Sequence, residues 1–277
     1  MPQRTMECSL KADSRIRVGL LIAYDGRSFS GWQIQPEDRT VQGVIEEALT
    51  SLSGDKVRIT GAGRTDAGVS AWGQVAHFEL DESISIPVDR LALVLNKRLP
   101  PEIRILVSRP VFREFHARYS ARQKIYKYSF RWTPEGLSRH PGDHPFSSPI
   151  SSSFVLERAV AASHLLLGRH DFRHFTVASS APEDATRTID DFFWEKTPDG
   201  LSFWISGPGF LHRMVRMIGG FLRDIGSGKR HKAELSRLLE PGSPPPEPSI
   251  SPLPPEGLSL VRVMYRDPDP FDPRKQT

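Results

Sequence analysis

A single carboxylate lies in a short glycine-rich loop whose residue types fit a catalytic site. Between residues 61 and 69 the sequence reads Gly-Ala-Gly-Arg-Thr-Asp-Ala-Gly-Val, which places Asp66 two residues after Arg64. The glycines permit a tight turn and close approach of a ligand, and a nearby cation keeps a carboxylate ionised. Asp66 is therefore a candidate nucleophile or general base. Two alternatives stay open at this point: a phosphate-binding loop, which lacks the usual Gly-Lys-Ser/Thr, and a plain β-turn with an Asx cap.

Positive charge is concentrated in two segments of the chain. The 37 Lys and Arg residues and 33 Asp and Glu residues give a formal net charge of only +4. Residues 104–131 hold eight basic residues against one acidic residue, a net charge of +7, and residues 201–232 hold six against one, a net charge of +5. The rest of the chain therefore carries a net charge of −8.

Aromatic residues are interleaved with the first basic segment. They are Phe112, Phe115, Tyr119, Tyr126, Tyr128, Phe130 and Trp132. Basic side chains neutralise phosphates, and aromatic rings stack on exposed bases. This combination favours binding of RNA or single-stranded nucleic acid. The alternative is a solvated strand face whose aromatic side chains belong to the core.

Composition argues against several other classes of protein. The one cysteine, Cys8, forms neither an internal disulfide nor a thiolate zinc site. The longest apolar run, residues 18–24, is far shorter than the roughly 20 residues that span a bilayer, and the first fifteen residues do not resemble a secretory signal. We therefore expect a cytoplasmic protein without a membrane segment. The length of 277 residues fits one large domain or two fused halves.

The spacing of apolar residues predicts the order β-α-β-β-α-β twice. In the first half we predict strands over 15–24, 56–60, 74–80 and 103–107, and helices over 40–54 and 87–99. In the second half we predict strands over 122–132, 186–196, 201–206 and 258–265, and helices over 154–167 and 210–225. We therefore expect an α+β fold of two fused ferredoxin-like halves, 15–113 and 114–266, with adjacent antiparallel sheets and a central RNA-binding cleft.

Two insertions interrupt the second half. Residues 133–153 form a predicted loop. A short predicted helix over 232–240 is followed by residues 241–257, which hold eight of the 24 prolines and are predicted to be extended or mobile. We expect this proline-rich segment to lie away from the chemistry. Residues 1–14 and 267–277 are predicted to be flexible tails.

The Asp66 loop resembles the signature loop of the TruA-type tRNA pseudouridine synthases. The resemblance covers Gly-Arg-Thr-Asp-Ala-Gly-Val over 63–69, Gly-Gln-Val over 73–75 and His-Phe over 77–78. Further segments resemble the family in the same order along the chain: Tyr24-Asp25-Gly26, Gly31-Trp32-Gln33, Asn96 with Leu99-Pro100, Phe115-His116-Ala117-Arg118, Tyr126-Lys127-Tyr128, Gly168 with Asp171-Phe172, Phe210-Leu211-His212 with Met214-Val215-Arg216, and Glu256-Gly257-Leu258. Each segment is weak alone, but together they form a very specific pattern.

The resemblance implies roles for individual residues. Asp66 corresponds to the essential aspartate of the family, and Arg64 resembles the arginine that helps to displace the target nucleotide from its stack. Tyr126 corresponds to the tyrosine that stacks on the target base and is a candidate for proton transfer. Arg216 resembles the basic residue that pairs with the catalytic aspartate.

Further residues are expected to contact the substrate. Leu258 lies in the closing motif whose leucine packs against the active site in the family, and Leu260 is a neighbouring candidate. Arg118 and Lys127 of the first basic segment, and Arg213 of the second, are expected RNA contacts.

The resemblance also implies the reaction and the partners. The family isomerises uridine to pseudouridine in tRNA, and we expect positions 38, 39 and 40 of the anticodon stem-loop as targets. The family acts as a homodimer that binds the anticodon arm across both subunits, and the isomerisation requires no cofactor or metal. Asp66 can add to the base, attack ribose C1′, or abstract the C2′ proton, and the sequence leaves these routes open.

Two rival functions stay open. One is an RNA-binding or RNA-folding module without catalysis, although such a module has no need of the carboxylate. The other is a carboxylate glycosidase, which requires a second acidic group that the sequence does not offer at a readable spacing. A metal site at His170, Asp171 and His174 is disfavoured because a further ligand is missing.

The chain departs from the family pattern at three positions. Ser70 replaces the usual His, Trp72 replaces a small residue, and Met217 replaces a common Asn. None of these changes removes a residue assigned above. We expect them to affect how the loop meets RNA.

Overall fold

The computed structural model describes residues 15–81, 86–133 and 146–272. These residues form eleven β-strands and five α-helices. The strands are β1 (Arg15–Tyr24), β2 (Thr60–Gly61), β3 (Ser70–Asp81), β4 (Ile103–Pro110), β5 (Ala121–Thr133), β6 (Ser148–Ser151), β7 (Gly168–Asp171), β8 (Thr186–Ile189), β9 (Asp191–Thr197), β10 (Gly200–Gly207) and β11 (Leu258–Tyr265). The helices are α1 (Val41–Ser53), α2 (Val88–Asn96), α3 (Leu156–Ser163), α4 (Met214–Gly226) and α5 (Lys232–Leu238).

Nine of the described strands form one mixed sheet. Its order is β4-β1-β3-β11-β5-β10-β9, and in addition β2 pairs with β3 and β6 with β5. The pairs are antiparallel except β11 with β3 and β6 with β5. The predicted α+β class is confirmed. The strands expected in two adjacent sheets lie in one continuous sheet, because β3 and β11 pair directly between the two parts of the chain.

Helices α1 and α4 form where the apolar spacing predicts a buried face. Thr40 caps α1 through its side chain, which accepts the backbone N–H of Gly43. Helix α4 lies so close to the proline-rich segment that a Cβ on Gly220 would lie 2.0 Å from the carbonyl oxygen of Ser251. Only glycine fits at this crossing.

Two predicted strands differ from the structure. The strand expected over 56–60 is reduced to Thr60–Gly61, because the backbone of Ile59 bonds to α1 side chains: its N–H donates to Glu46 and its carbonyl accepts from Gln42. The strand expected over 186–196 is broken at Asp190. Its first part, β8, pairs with β7 in a separate two-stranded sheet.

The helix predicted over 210–225 begins only at Met214. Arg213 precedes it in the left-handed region, with φ of 60°. The N–H of Met214 donates to the carbonyl oxygen of Leu211 at 3.1 Å, so residues 211–214 form a turn that leads into the helix. This turn places His212 and Arg213 at the N-terminal end of α4.

The segments expected to be mobile or flexible differ in how much of them is described. Residues 1–14, 134–145 and 273–277 lie outside the described residues. In the tail expected from residue 267 onward, Phe271 is buried and packs against Phe115 and Tyr265, because an aromatic ring at this position covers the sheet at Gly19. None of the helices in the described ranges has the length and apolar character needed to cross a membrane.

Candidate active site

The loop that carries Asp66 is anchored by the segment that follows β1. The backbone N–H of Trp32 donates to the carbonyl oxygen of Thr65 at 3.1 Å, and the hydroxyls of Tyr24 and Thr65 are 2.8 Å apart. Gly31 has a φ of 93°, and a Cβ there would lie 2.7 Å from the Thr65 carbonyl oxygen. These contacts hold the residue before Asp66 on both its side chain and its backbone.

Two of the three departures from the family pattern have structural partners. The hydroxyl of Ser70 accepts the backbone N–H of Gly26 at 3.0 Å, so this residue fixes the end of the loop to the segment after β1. Met217 is partly buried and packs against the core. The indole of Trp72 is 48% exposed. Ser70 is therefore a structural support of the loop, whereas Trp72 presents an aromatic ring to solvent.

Asp66 forms an ion pair with Arg216, as expected from the sequence. Nη1 of Arg216 donates to Oδ2 of Asp66 at 2.7 Å, and the two side chains are 10% and 19% exposed. Nε of Arg216 donates to the carbonyl oxygen of Leu253 at 2.7 Å. The guanidinium is therefore fixed in orientation by a second acceptor. A guanidinium fixed in this way holds the carboxylate of Asp66 in one orientation.

The proline-rich segment reaches this site, contrary to the expectation that it lies away from the chemistry. It supplies the Leu253 carbonyl to Arg216, and the next carbonyl, that of Pro254, accepts from the hydroxyl of Tyr128 at 2.9 Å. The ring of Pro255 lies against Gly68 of the Asp66 loop. The segment bridges α4, β5 and the loop because prolines keep it extended along their junction.

Tyr126 lies beside the carboxylate in a buried position on β5. Its ring packs edge-on against Phe210 with centroids 5.2 Å apart. Burial raises the pKa of Tyr126 above its ordinary value, and the neighbouring Tyr24 and Asp66 raise it further. The phenol is therefore neutral near pH 7. It can donate a hydrogen bond or a proton, but a resident phenolate base is disfavoured.

Leu258 and Leu260 both lie on the side of the sheet that Tyr126 occupies. Leu260 is paired with Tyr126, and Leu258 with Tyr128. Both leucines are buried. The neighbouring candidate Leu260 is thus the one placed directly beside Tyr126.

His212 also reaches the carboxylate, although no role is predicted for it from the sequence. Its Nε2 lies 3.6 Å from Oδ1 of Asp66, and its Nδ1 lies 2.9 Å from the hydroxyl of Ser180. The imidazole side chain is 45% exposed. The signal in the sequence is the Phe-Leu-His stretch before Arg216, which resembles the family. A helix over 210–225 would not predict that His212 contacts Asp66. The turn before α4 brings the ring to the second oxygen of Asp66.

The three arginines that are predicted to act on the RNA, Arg64, Arg118 and Arg213, are all exposed. Arg64 forms no hydrogen bond or ion pair among the residues that the structure describes, and Arg213 stands exposed in the turn before α4. The guanidinium of Arg118 lies 5.7 Å from the ring centroid of Tyr119, whose side chain is 77% exposed. All three cations are thus accessible to a polyanion.

Lys127 is not brought together with these groups. Successive side chains of a strand point to opposite faces, so Lys127 points away from the face that carries Tyr126. Its Nζ forms an ion pair with Glu195 at 3.2 Å and lies 4.8 Å from the ring centroid of Trp204.

The three residues weighed as a metal site have separate partners. Asp171 pairs with Arg173, His170 bonds to the Leu167 carbonyl, and His174 bonds to Ser243. Across the described ranges, the structure contains no group of three or more His, Cys, Asp or Glu side chains placed to hold a metal ion.

The assembled site consists of one oriented carboxylate beside a neutral phenol, with a buried guanidinium behind it. An anionic oxygen held in this way can act as a nucleophile or as a general base. In the described residues the ion-pair partners of Asp66 are the guanidinium of Arg216 and the imidazole of His212, and neither is a carboxylate. The pair of acidic groups typical of a glycosidase is therefore not seen among these contacts.

Comparison with known proteins identifies the family. A family model described as tRNA pseudouridine synthase matches residues 20–120 and 162–266. A protein of Halalkalibacterium halodurans is 43% identical over 225 residues, which cover 80% of this chain and 83% of that protein. A protein of Bacillus subtilis is 41% identical over 255 residues, covering 90% and 99%. Both relatives carry the name tRNA pseudouridine synthase A. The chain therefore belongs to the tRNA pseudouridine synthase family.

Proposed function

We propose that this protein isomerises uridine to pseudouridine in the anticodon stem-loop of tRNA, at positions 38, 39 and 40. The observation that carries the proposal is the 2.7 Å ion pair between Asp66 and Arg216 beside the buried ring of Tyr126. The names of the relatives support the same reaction class. The anticodon target follows from the sequence resemblance.

The chemistry requires few groups because it is an isomerisation. The bond from ribose C1′ to base N1 breaks, a bond from C1′ to C5 forms, the proton at C5 leaves, and N1 gains a proton. Asp66 is proposed to supply the anionic oxygen that starts this exchange, by adding to the base, attacking C1′ or removing the C2′ proton. Arg216 holds that oxygen in place, and no external oxidant or nucleophile is consumed.

The target base must leave its stack before it reaches Asp66. Extrusion of a nucleotide costs a few kcal/mol. The exposed guanidinium of Arg64 is proposed to fill the vacated space, and Tyr126 is proposed to stack on the extruded uracil. As a neutral phenol, Tyr126 can also donate a proton during rejoining of the base. Leu260, which is paired with Tyr126, and Leu258 are proposed to pack behind this ring. Arg118 and Arg213 are proposed to hold the RNA backbone.

We further infer the architecture and assembly from the resemblance. Strands β4-β1-β3 and β2, with α1 and α2, are proposed to form one ferredoxin-like half (15–113), and strands β11-β5-β10-β9, with α3 and α4, the other (114–266). The cleft between them would hold RNA. The enzyme is proposed to act in the cytoplasm as a homodimer, which light scattering of the purified protein would test.

Release of tritium from tRNA labelled at uridine C5 tests the proposed activity. Asp66→Ala should abolish release, because C5 loses its hydrogen only when C1′ attaches there, while tRNA binding should survive. Asp89→Ala, which removes an exposed carboxylate on α2, is the matched control and should release tritium at the wild-type rate. Unchanged release by Asp66→Ala would refute the assignment of Asp66.

A further inference from the structure

The amino group of Lys124 lies against the Asp66 loop. Lys124 precedes Tyr126 by two residues on β5, so both side chains point to the same face of the sheet. A Cβ placed on Gly63 would lie 3.4 Å from Nζ of Lys124. Lys124 therefore occupies the edge of the proposed uridine site, on the side of the loop that precedes Asp66.

This amino group has no counter-charge in the described part of the chain. No hydrogen bond or ion pair of Lys124 is present there, whereas Lys127 on the same strand is paired with Glu195 at 3.2 Å. Burial, and then the positive charge of Arg118, lower the pKa of Lys124 to about 8. A partly buried ammonium without an anion is unfavourable unless a ligand supplies one.

We propose that Lys124 and Arg118 together bind a backbone phosphate of the RNA next to the target uridine. The inference rests on the function proposed above, since the RNA supplies the phosphate. Two cations whose positive charges interact suit a phosphodiester, which carries one negative charge on two free oxygens. Gly63 leaves room for the lysine to reach this position. Lys124 is thus a substrate-binding group that complements the exposed arginines.

The charges around Lys124 set the sign of the expected pH dependence. The charge that acts on the amino group is that of Arg118. Arg64 and Asp66 follow Gly63 in the loop against which Lys124 lies. On β11, Arg262 is paired with Ile125 and therefore points to the opposite face. The facing positions on β10, Ser206 and Gly207, carry no charge. A bound phosphate raises the pKa of Lys124, so affinity for tRNA is full below about pH 8 and falls as the pH rises above it.

Salt dependence of tRNA binding tests the phosphate contact. Each phosphate contact contributes about 0.7 to 0.9 to the slope of log affinity against log salt. Lys124→Met should lower the slope by about this amount, whereas Lys124→Arg should keep it. Lys97→Met, which removes an exposed lysine after α2, should match the wild type. Between pH 7 and pH 9 the wild type should lose affinity more steeply than Lys124→Arg, whose guanidinium stays charged.

Two outcomes would overturn the inference. One is a wild-type salt slope for Lys124→Met. This includes the case in which Lys124→Met binds tRNA more weakly by the same factor at every salt concentration, which is the result that a merely structural role predicts. The other is an identical pH dependence of tRNA affinity for the wild type and Lys124→Arg. This second comparison uses only proteins that keep a basic side chain at position 124. Pseudouridine formation by the wild type is measured in parallel. Its presence together with an unchanged slope refutes only the role of Lys124, and its absence refutes the proposed function.

Discussion

The two faces of β5 carry lysines in opposite electrostatic surroundings. On one face Lys124 lies beside the Asp66 loop without a recorded counter-charge in the described residues. On the other face Lys127 is neutralised by Glu195 and packs over Trp204. The two residues are three positions apart in the same basic segment. Density of charge along the sequence therefore does not identify the cations that are available to RNA.

The difference shows that an ion-pair partner, rather than position in the sequence, decides whether a lysine of this segment is available to RNA. The carboxylate of Glu195 lies on β9, 68 residues from Lys127. Its hydrogen bonds from Lys127 and Trp204 lower its pKa, with the indole of Trp204 contributing most, so it stays anionic near pH 7. On the face that carries Tyr126, the carboxylate of Asp66 is already paired with Arg216.

The largest expected effect concerns the partner of Asp66. Arg216→Leu should lower the rate of pseudouridine formation by about 100-fold or more, equivalent to about 2.7 kcal/mol, because it removes the cation that orients the carboxylate. Arg223→Leu is the matched control on the same helix, since Arg223 pairs with Asp224 at 3.0 Å. Single-turnover rates with saturating enzyme measure the difference. Equal rates for the two variants would contradict the assigned role of Arg216.

A smaller effect should separate two tyrosines on the same face of β5. Tyr126→Phe keeps the ring that stacks on the base and removes only its hydroxyl, so turnover should fall by about 10-fold to 100-fold with tRNA affinity retained. Tyr128→Phe removes hydrogen bonds to Ser148 and Pro254 instead. It should lower the free energy of unfolding by about 1 kcal/mol and leave turnover near the wild-type value.

Rates and urea unfolding of both variants should be measured together. Loss of turnover in Tyr128→Phe without loss of stability would place the reacting group two residues further along the strand. Unaltered turnover in Tyr126→Phe would restrict Tyr126 to stacking on the base.

The smallest expected effect tests the opposite face directly. Arg118→Met should flatten the salt dependence of tRNA binding by about one phosphate contact, a change of about 0.7 to 0.9 in slope. Lys127→Met should change the slope by less than half as much, because the charge of Lys127 is already compensated by Glu195. Filter binding over a range of salt concentrations measures both slopes. A larger change for Lys127→Met would show that RNA displaces Glu195 and occupies both faces of the strand.

Much of the fold follows from local sequence patterns. The apolar spacing predicts the long strands and the helices α1 and α2, because these elements bury one continuous face. It fails at residues 56–60, where side chains of α1 take the backbone hydrogen bonds, and at Asp190, where the chain passes from one sheet to another. Both failures depend on partners that are distant in sequence or belong to another element.

The candidate site likewise has residues that the sequence predicts and contacts that it does not predict. The residue types of the glycine-rich loop indicate Asp66, and the family resemblance adds Tyr126 and Arg216. The contact of Asp66 with Arg216 is confirmed. The approach of His212 depends on a turn that interrupts an apolar helical pattern, and the contact of Leu253 depends on a segment whose prolines suggest mobility. Any residue type can supply a backbone carbonyl, so the sequence does not predict which carbonyl accepts the hydrogen bond from Arg216.

Mapping of pseudouridine in unmodified tRNA tests the central claim most directly. After incubation with the wild-type protein, pseudouridine should appear in the anticodon stem-loop at positions 38, 39 and 40. With Asp66→Asn it should appear nowhere, although the variant should still bind the tRNA. A protein that binds tRNA without forming pseudouridine would be the non-catalytic RNA-binding module, and release of free uracil would indicate a glycosidase. Either result, or pseudouridine formation by Asp66→Asn, would contradict the proposed role of the Asp66 site.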